Sequence, residues 1–195
     1  PGRTTIADYA ADLIALLDAL QISSCIVGGQ SMGGGIALQT ALDHPQRIQG
    51  LILIGTGAKL SVHSDILNNI LTDQAAVGER FKDWMWAKAT PNMIRERGYN
   101  LFMQIDPEIA YHDYLACNQF DVRDRLAEIQ QPTLVIGATE DQMTPFKYSV
   151  YLKDHLSNAQ LVQIEGAGHM MSVEAGQQIA DEVQTWLNQF GSVKS

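Results

Sequence analysis

The 195-residue chain is short of cysteine, short of basic side chains and without a long apolar run. Its two cysteines, Cys25 and Cys117, do not make the disulfide framework of a small secreted domain. Cys25 opens an apolar stretch and reads as a reduced, buried thiol. No cysteine–histidine spacing suited to a metal occurs, so no metal is expected. No segment reads as a signal peptide, a transmembrane span or an internal repeat, and the expected location is the cytoplasm. Lys and Arg number 13 against 22 Asp and Glu, a net charge of −9. That balance argues against nucleic acid and against an anionic membrane as partners, and says little about a neutral small molecule. A hydrophobic share of 46% suits one globular domain with room for a small subdomain.

Glycine is where the chain is unusual. Cys25-Ile26-Val27-Gly28-Gly29-Gln30-Ser31-Met32-Gly33-Gly34-Gly35 runs from apolar residues through a glycine-flanked serine into helix formers. This is the order of a nucleophile elbow, a sharp strand-to-helix turn that exposes a serine at the top of a sheet. The turn is expected to strain Ser31, with Gly29 and Gly33 letting strand and helix approach. The helix behind Ser31 would aim free N–H groups at an oxyanion, first among them that of Met32. Three successive glycines cost a helix about 0.5–1 kcal/mol each relative to alanine, a poor choice for a purely structural one.

A nucleophilic serine needs a base, and the base an orienting acid, in the chain order serine, acid, histidine. The acid falls in Thr133-Leu134-Val135-Ile136-Gly137-Ala138-Thr139-Glu140-Asp141, a buried-strand run ending in a loop with two carboxylates. Glu140 and Asp141 both remain open on this ground. The base is His169, in a glycine-flanked loop after the alternating run Leu161 to Ile164. His44 precedes a proline at a helix end, His63 and His112 fall in an insert, and His155 lies within a helical pattern.

The remaining pattern alternates helices and strands. An amphipathic helix spans 4–20, capped by Thr4 or Thr5 with Asp8 in its first turn. Strand 25–29, helix 32–43 and strand 50–54 follow, then a long insert. After it come strand 133–138, helix 145–156, strand 160–164 and helix 173–190. This order predicts an α/β fold with a parallel sheet and helices on both faces. Ser31, Asp141 and His169 each follow a strand's carboxyl end, where sites of such sheets lie. The insert, about residues 58–120, is rich in large apolar side chains such as Phe81, Trp84, Met85 and Tyr114, with helical character over 74–88 and 107–118.

With these motifs in place the chain resembles the α/β-hydrolase superfamily, in its cap-bearing esterase and 3-oxoadipate enol-lactonase-like branch. The matching segments are Val27 to Gly35, Arg123 to Asp141 and Gly166 to Met171. Members read G-x-x-D-x-x-T-P at the acid. This chain keeps D-x-x-T-P from Asp141 to Pro145, so the resemblance selects Asp141 over Glu140. It implies a core of residues 1–57 and 121–195, with 58–120 a helical cap holding an apolar acyl or ring pocket. It implies a serine hydrolase of small carboxylic esters or lactones that needs no cofactor, with Ser31, Asp141 and His169 catalytic and the Met32 N–H in the oxyanion hole. The same residues would serve a thioesterase, a carbon–carbon bond hydrolase, a perhydrolase or an acyltransferase. A haloalkane dehalogenase would want Asp at position 31.

The register against the family implies a fragment, holding about four strands of the sheet and lacking the segment N-terminal to them. Strand 25–29 would then be an exposed apolar edge, open to self-association or to the absent segment. The oxyanion hole would lack its usual second donor, and a catalytically impaired hydrolase-like module is the rival reading.

Overall fold

Short segments rich in apolar residues, six or seven long, become the strands, and the longer amphipathic stretches become most of the helices. The computed structural model describes residues 3–192. In chain order these hold α1 (Ile6–Ala19), β1 (Cys25–Gln30), α2 (Met32–Asp43) and β2 (Ile48–Ile54). Four helices follow: α3 (Ser64–Asn69), α4 (Gln74–Trp84), α5 (Asn92–Phe102) and α6 (Pro107–Gln119). The chain closes with β3 (Thr133–Ala138), α7 (Lys147–His155), β4 (Ala159–Ile164), α8 (Met171–Glu174) and α9 (Gly176–Ser192).

The strands form one parallel sheet in the order β1-β2-β3-β4. β3 is buried along its whole length, with Leu134 to Ala138 free of polar side chains and the one polar group, the Thr133 hydroxyl, donating to Gln131 O at 3.0 Å. Successive side chains serve opposite faces. Leu51, Leu53 and Val135 join Ala37, Leu38 and Leu152 in one core, so α2 and α7 cover that face. Leu134 and Ile136 join Ile164, Ile179 and Trp186 in the other, so α9 covers the opposite face. β1 pairs with β2 alone among the described residues, and Gly28 is exposed. It is an edge strand, the position expected for 25–29.

Local signals explain the helix ends. Thr5 caps α1 in a reciprocal box with Asp8, each side chain taking the other's backbone N–H. Asp73 and Asp106 cap α4 and α6, and Pro107 opens α6. The insert carries two helices that periodicity did not suggest, α3 and α5. Ile66, Ile70, Val77, Phe81 and Ala110 give the insert a core of its own. The expected helix 173–190 divides at Ala175, whose φ of −132° and ψ of 34° are not helical. Helix 145–156 starts only at Lys147, after a turn in which Tyr148 N donates to Pro145 O. Among the described residues no helix is long and apolar enough to cross a membrane.

Candidate active site

The serine turn is built by backbone crowding. Ser31 closes β1, its N–H donating to Ile54 O at 2.9 Å, and α2 begins at the next residue. Its φ of 53° and ψ of −117° are strained for a residue with a Cβ, as expected for an elbow. Gly29 permits the turn, because a Cβ there would stand 2.2 Å from Gly33 C. Gly33 itself has open space around its would-be Cβ, contrary to the expectation that both flanking glycines are sterically required. The demanding partner is Gly34, whose Cβ would lie 2.5 Å from Thr56 Cγ2. Thr56 in turn donates to Ser31 O at 2.7 Å. Met32 is the first residue of α2 and its N–H has no acceptor within the helix. It lines the same cavity as Ser31 and His169.

Asp141 and His169 meet directly. His169 Nδ1 is 2.9 Å from Asp141 Oδ2 and 3.1 Å from Oδ1, with the two side chains 4% and 0% exposed. Donors surround the buried carboxyl group, as a buried polar group requires. Met143 N and Thr144 N donate to Oδ1 at 2.9 and 2.8 Å, and Thr144 Oγ1 to Oδ2 at 2.8 Å. Thr144 Oγ1 also lies 2.7 Å from Gly55 O and 3.2 Å from His169 Nδ1, tying the acid loop to the end of β2. Glu140 points elsewhere: its Oε2 accepts from Lys88 N at 2.8 Å.

Gln30 links the serine and histidine segments. Its Nε2 donates to His169 O at 2.7 Å, while its Oε1 accepts from Ser172 Oγ at 2.5 Å. Ser31 and His169 face one cavity of about 300 Å³. No hydrogen bond joins their side chains among the described residues. A second cavity of about 410 Å³ also reaches Ser31. Tyr114, Cys117 and Met143 line both, so they form the wall between them. His63 and Trp84, their rings 5.3 Å apart, line the second.

Two other residues of the site are excluded as nucleophiles. Burial pushes the Cys117 thiol up to about 12, with the charge of Asp113 adding to the effect, so it stays protonated and unreactive. Burial likewise raises the Tyr114 phenol. Among the described residues no group of three or more His, Cys, Asp or Glu is arranged to hold a metal. Gln30, Thr56 and His63 were not anticipated. Gln30 and Thr144 sit inside recognisable motifs, but their bonds span 139 and 89 residues, a distance no local pattern encodes.

Four parallel strands flanked by helices, with a strained serine turn at a strand's carboxyl end, define an α/β-hydrolase fold. The chain belongs to the family described as serine aminopeptidase, S33 (Hydrolase_4), whose model matches residues 3–176, and it is a hydrolase. It is 30% identical over 183 residues to RutD of Variovorax paradoxus (strain S110), whose name provisionally assigns it carbamate hydrolysis. That match covers 86% of this chain and 67% of the relative. A solved thermophilic esterase superposes with a TM-score of 0.87 at 27% identity, over 96% of this chain and 74% of its own. The enol-lactonase from Burkholderia xenovorans LB400 shares the fold, with a TM-score of 0.89 at 23% identity over 96% and 75% of the two chains.

Proposed function

We propose that the protein hydrolyses a small carboxylic ester or lactone through a Ser31–His169–Asp141 triad and an acyl-enzyme. Ser31 Oγ attacks the carbonyl carbon as His169 Nε2 takes its proton. The tetrahedral oxyanion is stabilised by the Met32 N–H and the α2 dipole. Its collapse expels the alkoxide, which takes the proton from His169. Water, deprotonated by the same imidazole, then attacks the acyl-enzyme and releases the acid and free Ser31. Asp141 keeps the Nδ1–H tautomer and stabilises the imidazolium formed in each half-reaction. The insert 58–120 acts as a cap on a core of 1–57 and 121–195, its apolar residues offering an acyl or ring pocket.

One observation carries this reading: a serine at positive φ shares a cavity with a buried histidine whose Nδ1 is bonded to a fully solvated-by-protein carboxylate. The thermophilic esterase supports an ester as substrate, and RutD supports acyl chemistry on a related carbonyl. The free thiols of Cys25 and Cys117 suit a reducing compartment, and a cytoplasmic location belongs to the proposal. The test is Ser31→Ala in the full-length protein with p-nitrophenyl acetate. Turnover should fall by about 10⁶ with the fold intact. A variant keeping more than a tenth of wild-type turnover would show that Ser31 is not the nucleophile.

A further inference from the structure

The loop carrying His169 is gripped on both sides by one turn of the insert. After the histidine, Met170 N donates to Met85 O at 2.9 Å. Before it, Gly168 packs backbone against backbone, for a Cβ there would lie 2.5 Å from Ala87 N and 2.6 Å from Trp86 C. Glu174, in α8, occupies the junction. Its Oε2 accepts from Gly168 N at 2.7 Å, while its Oε1 accepts from Ala87 N at 2.8 Å and from the Thr90 hydroxyl. One carboxylate oxygen therefore holds the histidine loop and the other holds the insert.

The insert side of this junction is itself fixed. Arg95, in α5, donates to the carbonyls of Lys82, Ala87, Lys88 and Thr90 at 2.7–3.1 Å, which ties the end of α4 and the turn 85–90 to α5. A carboxylate suits the junction, because Gly168 N–H, Ala87 N–H and the Thr90 hydroxyl all donate to it, and the two N–H groups can only donate. An amide would present its NH₂ either to Gly168 N–H or to Ala87 N–H, and one of the two grips would fail even with the Thr90 hydroxyl turned to accept. The other ties, Met170 N to Met85 O and Lys88 N to Glu140, would keep the insert docked.

We propose that Glu174 is a positioning residue: it couples the insert to His169, so that the imidazole holds its reactive place only while the turn 85–90 is seated. The proposal rests on the triad reading given above. It predicts a loss in turnover rather than in substrate binding, because the carboxylate acts on the histidine loop. Misplacing a catalytic group by a fraction of an ångström costs about tenfold or more in rate.

A double-mutant cycle in the full-length protein tests it. Glu174→Gln should lower kcat for p-nitrophenyl acetate by about tenfold and leave KM within about twofold. In a His169→Ala background the same change should cost less than about twofold, because the group it positions is gone. Thr90→Val, which removes one of the three donors, provides a milder variant should Glu174→Gln fold poorly. Its smaller loss of kcat should also vanish without His169. Equal losses in both backgrounds, with His169→Ala itself deeply impaired, would overturn the coupling and leave Glu174 a plain stabiliser. Full turnover in His169→Ala would overturn the triad reading and this proposal with it.

Discussion

Asp141→Asn isolates the electrostatic part of the proposed triad. Asp141 Oδ1 accepts two backbone N–H groups, from Met143 and Thr144, while Oδ2 faces His169 Nδ1 and Thr144 Oγ1. An asparagine must keep its carbonyl on the two N–H donors, which forces its NH₂ into the Oδ2 place. That NH₂ can donate to Thr144 Oγ1, whose proton then goes to Gly55 O 2.7 Å away. The network stays satisfied and the variant should fold. The NH₂ also faces Nδ1, so the ring must carry its proton on Nε2 and cannot accept one from Ser31. Such a tautomer error costs about 10⁴ in kcat. Four decades correspond to about 5.4 kcal/mol of transition-state stabilisation. Glu140→Gln is the control. Its Oε2 partner is one exposed backbone N–H, which an amide oxygen also satisfies, and turnover should stay within about threefold. Steady-state kinetics with p-nitrophenyl acetate on both variants, checked by circular dichroism, decides. An Asp141→Asn enzyme with more than a tenth of wild-type kcat would refute the reasoning, and a large loss confined to Glu140→Gln would move the acid by one residue.

The two glycines flanking Ser31 should behave oppositely. Gly29→Ala drives a Cβ into the Gly33 backbone, which cannot yield like a side chain, and should cost more than about 3 kcal/mol in urea unfolding. Gly33→Ala enters open space in a helix and should leave stability unchanged or raise it by up to about 1 kcal/mol; equal effects at the two sites would contradict the crowding described. The open edge of β1 should make residues 1–195, prepared alone, self-associate at micromolar concentration, whereas a single monomer boundary in sedimentation velocity would show that this edge is not sticky.

The parts of the fold legible in the sequence are those with local causes. β3 reads as a strand because a run covered on both faces is almost wholly apolar, as Leu134 to Ala138 are. Thr5 and Asp8 announce α1 by a capping box four residues long. The elbow is legible because a strained turn leaves glycines beside a serine. Other features arise from tertiary contact alone. α3 is six residues long, too short for periodicity to appear, and α5 starts from Pro91 without a side-chain cap. Gly33 appeared as necessary as Gly29 by symmetry, yet only the backbone approach separates them. The division between α8 and α9 at Ala175 is marked in the sequence by Gly176 alone, inside a pattern that otherwise continues apolar on one face. Glu174 is one of 22 acidic residues, and nothing near it in sequence reveals that its partners lie at Gly168, Ala87 and Thr90.

The central claim is that Ser31 is a nucleophile activated by His169. Covalent trapping tests it most directly. The full-length protein would be treated with a fluorophosphonate probe, digested and mapped by mass spectrometry. A single phosphonylated peptide modified at Ser31 is predicted, forming at least about 100-fold more slowly in His169→Ala, because an unassisted hydroxyl is a weak nucleophile. No adduct, an adduct on another residue, or an undiminished rate in His169→Ala would contradict it.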